Sequence, residues 1–426
     1  MTKAPGAAEA ALDRLFSGWA PPVALGLAVS GGGDSMALLA LVAERAPPGL
    51  RKAVVTVDHG LRPEAREEAA LVARTAAQLG IPHHILRWSP EGRRGNLQAA
   101  AREARMCLIA DWARSQHIGT VALAHTLDDQ AETVLMRLAR GSGVDGLSAM
   151  TPTREAVGIT WLRPFLDIPR AALRDALIER GIDWAEDPSN RDPRFHRVRA
   201  RAALEALAPL GIDARGLAAT AARLQQAREA LEAETLRELE KYAKDDRGMV
   251  LLDRTALSLP DEIRDRLIAL LLRALTGASH RPRLAALHRW IDAADGQGAM
   301  LGGARIQRDG QMLRLFREAQ AVASLRVASD AVWDGRWRAI APPGAPPGQI
   351  AALGAAGLRQ LSRQAAQGLH PHWRDTGLPQ AALEATPAIW RGEALVAAPV
   401  ALWPEGWAFD LRPAAAASPT GTIRIE

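Results

Sequence analysis

PPVALGLAVSGGGDSMALLAL, residues 21–41, is an apolar run that breaks at Ser30-Gly31-Gly32-Gly33-Asp34-Ser35 and resumes at once with helical spacing. A buried strand, a glycine turn and a helix N-terminus in direct succession are the parts of an anion site. Glycines at 31, 32 and 33 let the backbone take angles closed to other residues and approach a ligand closely, while the first N–H groups of the helix, unpartnered within it, converge on one point. Ser30 and Ser35 add hydroxyl donors. Asp34 is out of place beside an anion, because like charges repel, so it is expected to face a bound Mg²⁺ or a cationic group.

Two neighbouring glycine patterns are excluded by context. A phosphate loop of the G-x-x-x-x-G-K-[ST] kind needs a lysine where this chain has Asp34, which disfavours hydrolysis at the γ-phosphate. The string Gly141-Ser142-Gly143-Val144-Asp145-Gly146 fits G-x-G-x-x-G but follows a helical pattern, whereas a dinucleotide fingerprint follows a strand.

Outward from the glycine turn, apolar runs at 23–29, 52–57, 82–88 and 120–124 alternate with helical patterns at about 35–45, 64–79, 96–117 and 128–140. That alternation predicts an α/β fold with a doubly wound parallel sheet, whose ligands bind beyond the carboxyl ends of the strands. Three such ends are polar: Ser30 to Ser35, Val57-Asp58-His59-Gly60, and His125-Thr126-Leu127-Asp128-Asp129. All three are expected to face one crevice. The last runs into the helix containing Glu132, and Asp129 and Glu132, at i and i+3, share a face near its N-terminus. Two carboxylates there suit a metal or an amine; the alternative is ordinary acidic decoration of a helix start.

Composition bounds the rest. The 426 residues, 48% hydrophobic and 24% charged, can bury large cores and should divide into two or three domains. The one cysteine, Cys107, excludes an intramolecular disulfide framework, a cysteine-based zinc site and a cysteine-ligated iron–sulfur cluster, and its helical setting predicts a packed thiol. No signal peptide or membrane-spanning stretch is read, so a cytoplasmic protein is expected. The net charge of +5 permits a nucleic-acid partner without requiring one. Clustering says more, because Arg197, Arg199 and Arg201 stand close together in a form suited to phosphates on RNA or ATP.

SGGGDS after a buried strand resembles the signature of the PP-loop ATP pyrophosphatases, which expose the α-phosphate of ATP to attack by a substrate oxygen. VDHGLRPEAREEA (57–69), AAAREARM (99–106), AHTLDDQAETVLMRLARGSGVDGLSAM (124–150), LRPFLDIPRAAL (162–173) and DWAEDPSNRDPRFHRVRAR (183–201) together resemble the tRNA(Ile)-lysidine synthases. The resemblance implies ATP-dependent ligation of lysine to carbon 2 of the wobble cytidine of the isoleucine tRNA with a CAU anticodon. The implied partners are ATP with Mg²⁺, free lysine and that tRNA.

On that resemblance, Ser30, Gly31 to Gly33 and Ser35 cradle the pyrophosphate, Asp34 holds its Mg²⁺, and Val57, Asp58 and His59 flank the adenosine. Asp129 or Glu132 is a base for the lysine amine, a Mg²⁺ ligand or an amine binder; the sequence leaves the division open. Arg102 and Arg105, one turn apart, reach phosphates or the lysine carboxylate, and Arg105 and Arg199 join Asp34, Asp129 and Glu132 as expected catalytic residues. The chain departs from the family pattern at Thr126, where a second histidine is common, and at Arg197-Val198-Arg199-Ala200-Arg201, which lacks the usual asparagine and leaves the essential arginine's register open.

The expected division is a PP-loop catalytic domain at 1–214, a helical linker and tRNA-contacting domain at 215–325, and a small β-rich domain at 326–426. Residues 215–245 have the spacing of one long helix or a helical hairpin, GMVLLDRTAL that of a short strand, and the helices after it carry Arg264, Arg266, Arg273, Arg281 and Arg283 as candidates for an RNA stem. APPGAPPGQ (341–349) is a break in composition that a loop alone explains. HPHWRDTGLPQAALEATPAIWRGEALVAAP resembles the C-terminal domain of the longer synthases, and its tryptophans are read as core rather than stacking platforms. Rival readings are a tRNA thiolase, which relies on cysteines absent here, an amide-forming synthetase acting on a small molecule, and a non-catalytic tRNA-binding module. Oligomeric state is open, a homodimer being one option.

Overall fold

The computed structural model describes residues 6–18, 23–58, 64–88, 97–186, 192–278, 280–295, 298–412 and 423–425. The chain forms two units, residues 1–228 and 229–426. In the first, α1 (Ala7–Ser17) precedes an alternation of β1 (Ala24–Ala28), α2 (Gly33–Arg45), β2 (Arg51–Asp58), α3 (Glu64–Gln78), β3 (His83–Arg87), α4 (Leu97–Ser115), β4 (Thr120–Ala122) and α5 (Leu127–Leu138). Then come α6 (Val144–Leu147), β5 (Thr153–Ala156), β6 (Ile159–Leu162), α7 (Arg170–Glu179) and α8 (His196–Leu207).

The strands order as β3-β2-β1-β4-β6-β5, parallel except that β5 runs against β6 as an edge hairpin. This is the doubly wound sheet expected from the alternation. Its central strand β1 is apolar because both faces are covered. Leu25 and Leu27 face a core with Met36, Leu38 and Leu39 of α2 and Leu173 and Leu177 of α7, while Ala24 belongs to a core on the other face with Ile109 and Trp112 of α4. The order reverses at β1, with β2 on one side and β4 on the other. A crevice opens where the connections leave a central strand for opposite faces, so the loops after β1 and β4 border the same gap.

Residues 214–242 form one helix, α9 (Ala214–Tyr242), rather than a hairpin. The second unit contains more sheet than its sequence suggested. β7 (Ala243–Asp246), β8 (Met249–Asp253), β9 (Ala299–Leu301), β10 (Ala304–Asp309) and β11 (Met312–Arg317) form a five-stranded antiparallel sheet that packs with α10 (Asp261–Thr276) and α11 (Leu284–Asp292). Only β8 is read from the sequence. The others are short, and β10 and β11 meet across the two-residue turn Gly310-Gln311, so arginines on their open face conceal the alternation.

After α12 (Ala319–Val322) the C-terminal part is β-rich, as expected, with two four-stranded sheets. One joins β12 (Arg326–Ala328), β15 (Gln349–Ala352), β16 (Pro387–Arg391) and β17 (Ala394–Ala397). The other joins β13 (Val332–Trp333), β14 (Trp337–Ile340), β18 (Ala408–Leu411) and β19 (Ile423–Ile425). Helices α13 (Gly354–Ala366) and α14 (Gln380–Glu384) pack with them, and Trp333, Trp337, Trp373, Trp390 and Trp407 are core. The proline-rich stretch at 341–349 is the link from β14 to β15.

Candidate active site at the carboxyl ends of β1 and β4

The glycine turn has the geometry its sequence implies. Gly31 takes φ +93°, which only glycine enters freely, and Gly32 caps α2 from an extended conformation. The serines act differently from a pair of free donors. Ser35 Oγ donates to the Gly32 carbonyl at 2.9 Å, accepts from the Ser30 N–H at 3.1 Å and lies 3.2 Å from Ser30 Oγ. With its proton committed to Gly32, the Ser35 hydroxyl closes the turn. The Ala185 N–H donates to the Gly31 carbonyl at 2.9 Å, and the Trp184 ring covers Gly33 so closely that a Cβ there would lie 3.3 Å from it. Trp184 and Ala185 thus brace the turn from outside.

Across the crevice, Thr126 caps α5. Its N–H and Oγ donate to Asp129 Oδ2 at 2.9 and 3.0 Å, and the Asp129 N–H returns a bond to Thr126 Oγ. Asp129 therefore is a helix cap in part, and the reading as ordinary acidic decoration holds for that oxygen. Its Oδ1 does something else. It lies 3.3 Å from Arg170 Nη2 and 3.5 Å from Arg197 Nη1. Glu132 Oε1 accepts from Arg201 at 2.8 and 3.0 Å and lies 3.6 Å from Arg170 Nη1.

Arg170, the first residue of α7, joins the two halves. Its Nε donates to Asp34 Oδ2 at 2.9 Å, so one guanidinium touches carboxylates of both α2 and α5. Its backbone N–H donates to Asp128 Oδ2 at 2.7 Å, and the Leu127 N–H donates to the Ile168 carbonyl at 3.0 Å, so the starts of α5 and α7 are fixed to each other. The cationic group that Asp34 was expected to face is, in this structure, Arg170. LRPFLDIPRAAL holds two arginines, Arg163 and Arg170, and nothing local marks the second as the partner of Asp34, because the pairing spans 136 positions.

Burial sharpens the electrostatics. Asp129 is 6% exposed and Glu132 1%. Burial pushes the Asp34 carboxyl up, only partly offset by Arg170. Burial works the same way on Asp129, but Arg170, Arg197 and the Thr126 N–H together outweigh it and hold that carboxyl below its usual range. Arg170, despite its own burial, is held firmly protonated by Asp34 and Asp129. Asp34 Oδ1 and Glu132 Oε2 are buried and have no hydrogen-bond partner among the described residues. A buried carboxylate oxygen left without a partner is costly, and these two fit the oxygen-donor chemistry of Mg²⁺ or an ammonium group. No cluster of three or more potential metal-ligating side chains occurs among the described residues, so a Mg²⁺ here would take much of its coordination from phosphate and water.

The remaining expected residues divide. Val57 and Asp58 end β2, next to β1, and are half-buried. His59 lies outside the described residues, as does the side chain of Arg102. Arg105 is exposed on α4. Of the three arginines on α8, Arg197 and Arg201, four positions apart, face the carboxylates, whereas Arg199 falls between them, is exposed, and bonds His196 Nδ1 at 2.8 Å. The geometry thus puts Arg197 and Arg201 in the cluster and leaves Arg199 out. Cys107 is exposed, not packed: it lies on the outer side of α4, whose buried residues Ile109, Ala110 and Ala113 follow a different stripe. Among the RNA-stem candidates, Arg266 is 2% exposed and bonds Glu262 at 2.7 Å, and Arg264 pairs with Asp261 and Asp265, so neither is presented as a free cation. Arg281 and Arg283 are exposed. Behind the glycine turn, unread in the sequence, Thr56 Oγ donates to the Val29 carbonyl at 2.8 Å and is 2.8 Å from His83 Nε2.

A doubly wound sheet carrying a glycine turn of this form, with an acidic helix start facing it, defines a PP-loop ATP-binding protein, and a family model described as "PP-loop domain" matches residues 7–207. Similarity extends well past that domain. The chain is 49% identical over 394 residues, 92% of each sequence, to a tRNA(Ile)-lysidine synthase of Ruegeria pomeroyi. It is 47% identical over 273 residues to that of Rhodopseudomonas palustris, covering 63% of this chain and 78% of the relative, and 43% identical over 322 residues to that of Methylobacterium nodulans, covering 72% and 94%. The chain belongs to the tRNA(Ile)-lysidine synthase family.

Proposed function

We propose that the crevice between α2 and α5 converts the wobble cytidine of tRNA(Ile) with a CAU anticodon to lysidine in two steps. In the first, O2 of the cytosine attacks the α-phosphorus of ATP and pyrophosphate leaves. In the second, the lysine ε-nitrogen attacks carbon 2, AMP departs with the former carbonyl oxygen, and the nitrogen gives up its proton. The observation that carries this reading is the convergence of the glycine turn with Asp34, Asp129 and Glu132 on one guanidinium, in a chain 49% identical over 92% of its length to a synthase of this name.

Backbone N–H groups of Gly31 to Gly33 at the start of α2 suit the pyrophosphate, whose charge the helix dipole favours. Val57, Asp58 and His59 would flank the adenosine. Mg²⁺, if Asp34 Oδ1 helps to hold it, would neutralise charge on the departing pyrophosphate. Glu132 Oε2 and Asp129 Oδ1 suit the ε-ammonium of lysine, which must lose a proton from a reference pKa near ~10.4 before it attacks. Arg197 and Arg201, which pair with Asp129 and Glu132, would meet the adenylate phosphate; Arg105, on α4, is the candidate for the lysine carboxylate, and Arg199, exposed, for the tRNA backbone. Exposed Arg281 and Arg283, in the stretch 215–325, are further candidates for contact with the tRNA. No described helix is long and apolar enough to cross a membrane; a tRNA substrate supports the reading of a cytoplasmic enzyme.

The test is tRNA- and lysine-dependent release of AMP and pyrophosphate, with lysine incorporation followed in parallel. Pyrophosphate release with tRNA, without lysine incorporation, would assign the first step but refute lysidine formation. Asp34→Ala should abolish adenylation while tRNA binding stays near wild type. Normal adenylation by that variant would remove Asp34 from the nucleotide site.

A further inference from the structure

Arg170 does not fit the roles of the residues around it. A guanidinium among the groups meant to receive an ammonium ion is, on its face, an obstacle. Asp34, Asp128, Asp129 and Glu132 bring four negative charges, and Arg170, Arg197, Arg201 and Arg174, which acts on Asp34 from one turn further along α7, bring four positive ones, so the cluster is balanced. A cationic amine entering a balanced, buried set of charges finds no net attraction and must displace a cation to gain one. Arg170 is the cation in the way, because it touches both Asp129 and Glu132 and lies between Arg197 on the first and Arg201 on the second.

It is also the cation with somewhere to go. Its Nε is bonded to Asp34, the residue directly after Gly33, so phosphate arriving at the start of α2 arrives beside the guanidinium. Phosphate oxygens compete well with a carboxylate for arginine. The backbone of Arg170 is held by Asp128, which confines any shift to the side chain. We propose that Arg170 is a positioning residue that stands in for the incoming amine, and that nucleotide phosphate draws it off Asp129 and Glu132 so that lysine enters only a nucleotide-loaded site. The order guards the reaction: lysine is admitted when an activated base can form. This inference rests on the reading of Asp129 and Glu132 as the amine site.

The experiment is calorimetric titration of lysine into the full chain, with and without Mg²⁺ and the non-reacting analogue α,β-methylene ATP. Wild type should bind lysine about tenfold or more tightly with the analogue. Arg170→Gln should bind lysine without nucleotide about as tightly as wild type does with it, and Arg170→Lys, which keeps the charge, should retain the nucleotide dependence. Nucleotide-independent affinity in wild type overturns the proposal, as does an Arg170→Gln chain no tighter than wild type in the absence of nucleotide. The wild-type comparison carries the test alone if Arg170→Gln does not fold. Asp129→Asn and Glu132→Gln should lose lysine in both states; unchanged affinity in them refutes the amine site itself, a result distinct from a lost nucleotide dependence.

Discussion

Replacing Gly31 by alanine tests the glycine turn most directly, and the structure supplies the magnitude. At φ +93° an alanine sits in a region that costs a non-glycine residue about 1–3 kcal/mol. Its Cβ would also lie 3.2 Å from Glu68 Cβ and 3.3 Å from the Glu68 carbonyl, a helix backbone that yields only with α3. Crowding of that kind adds about 1 kcal/mol, for a total of about 2–4 kcal/mol. In a unit of this size the loss lowers its unfolding midpoint by roughly 4–16 °C. Gly32 is the control: it is extended at φ −73°, and the nearest atom to an added Cβ is Ser30 Oγ at 3.8 Å, so Gly32→Ala should cost less than about 1 kcal/mol. Calorimetric melting of both variants, with ATP titrated into each below its midpoint, separates stability from binding. A Gly31→Ala chain that melts with wild type would refute the argument that this turn needs a left-handed glycine in contact with α3.

The arginine register gives a second prediction. Arg201→Ala strips Glu132 of its two shortest bonds and should cost about 1–3 kcal/mol, discounted for the partial exposure of Arg201, together with most of the lysine-transfer rate; Arg199→Ala should change stability by less than about 0.5 kcal/mol. Urea melts and single-turnover lysine incorporation check both, and equal losses would refute the assignment of faces on α8. A third concerns acid. Burial, then neighbouring His84, holds His83 below its ordinary pKa, so the unfolded chain binds the proton more readily. Stability linked to His83 is therefore complete above the unfolded value near ~6.5 and declines as pH falls from there towards the depressed folded value. His83→Asn should flatten the fall in melting temperature between about pH 6.5 and 5; an unchanged slope would assign the acid sensitivity elsewhere.

The first unit was legible because its signals are local and repeat. Each apolar strand is followed by a helix with its own period, and SGGGDS marks where the backbone must turn left-handed and open a helix. The second unit was less so. Four of the five strands around β8 are short or arginine-bearing on one face, and nothing in a six-residue run reveals that β8 pairs with β11 across some sixty intervening positions. The serines show the same limit at a smaller scale: their hydroxyls can be read as donors to a ligand, but closing the turn at Gly32 takes the proton of Ser35.

By itself the sequence determined that a strand, a glycine turn and a helix N-terminus make an anion site, and that two carboxylates share the start of a later helix. These are properties of residues within a few positions of one another, set by backbone angles and the helical repeat. Tertiary structure alone decided who answers those charges. Arg170 reaches Asp34 across 136 positions, and α8 turns Arg197 and Arg201, not Arg199, toward Asp129 and Glu132. A charge finds its partner through space, and only the packing of α5, α7 and α8 fixes which guanidinium stands within a few ångströms of which carboxylate.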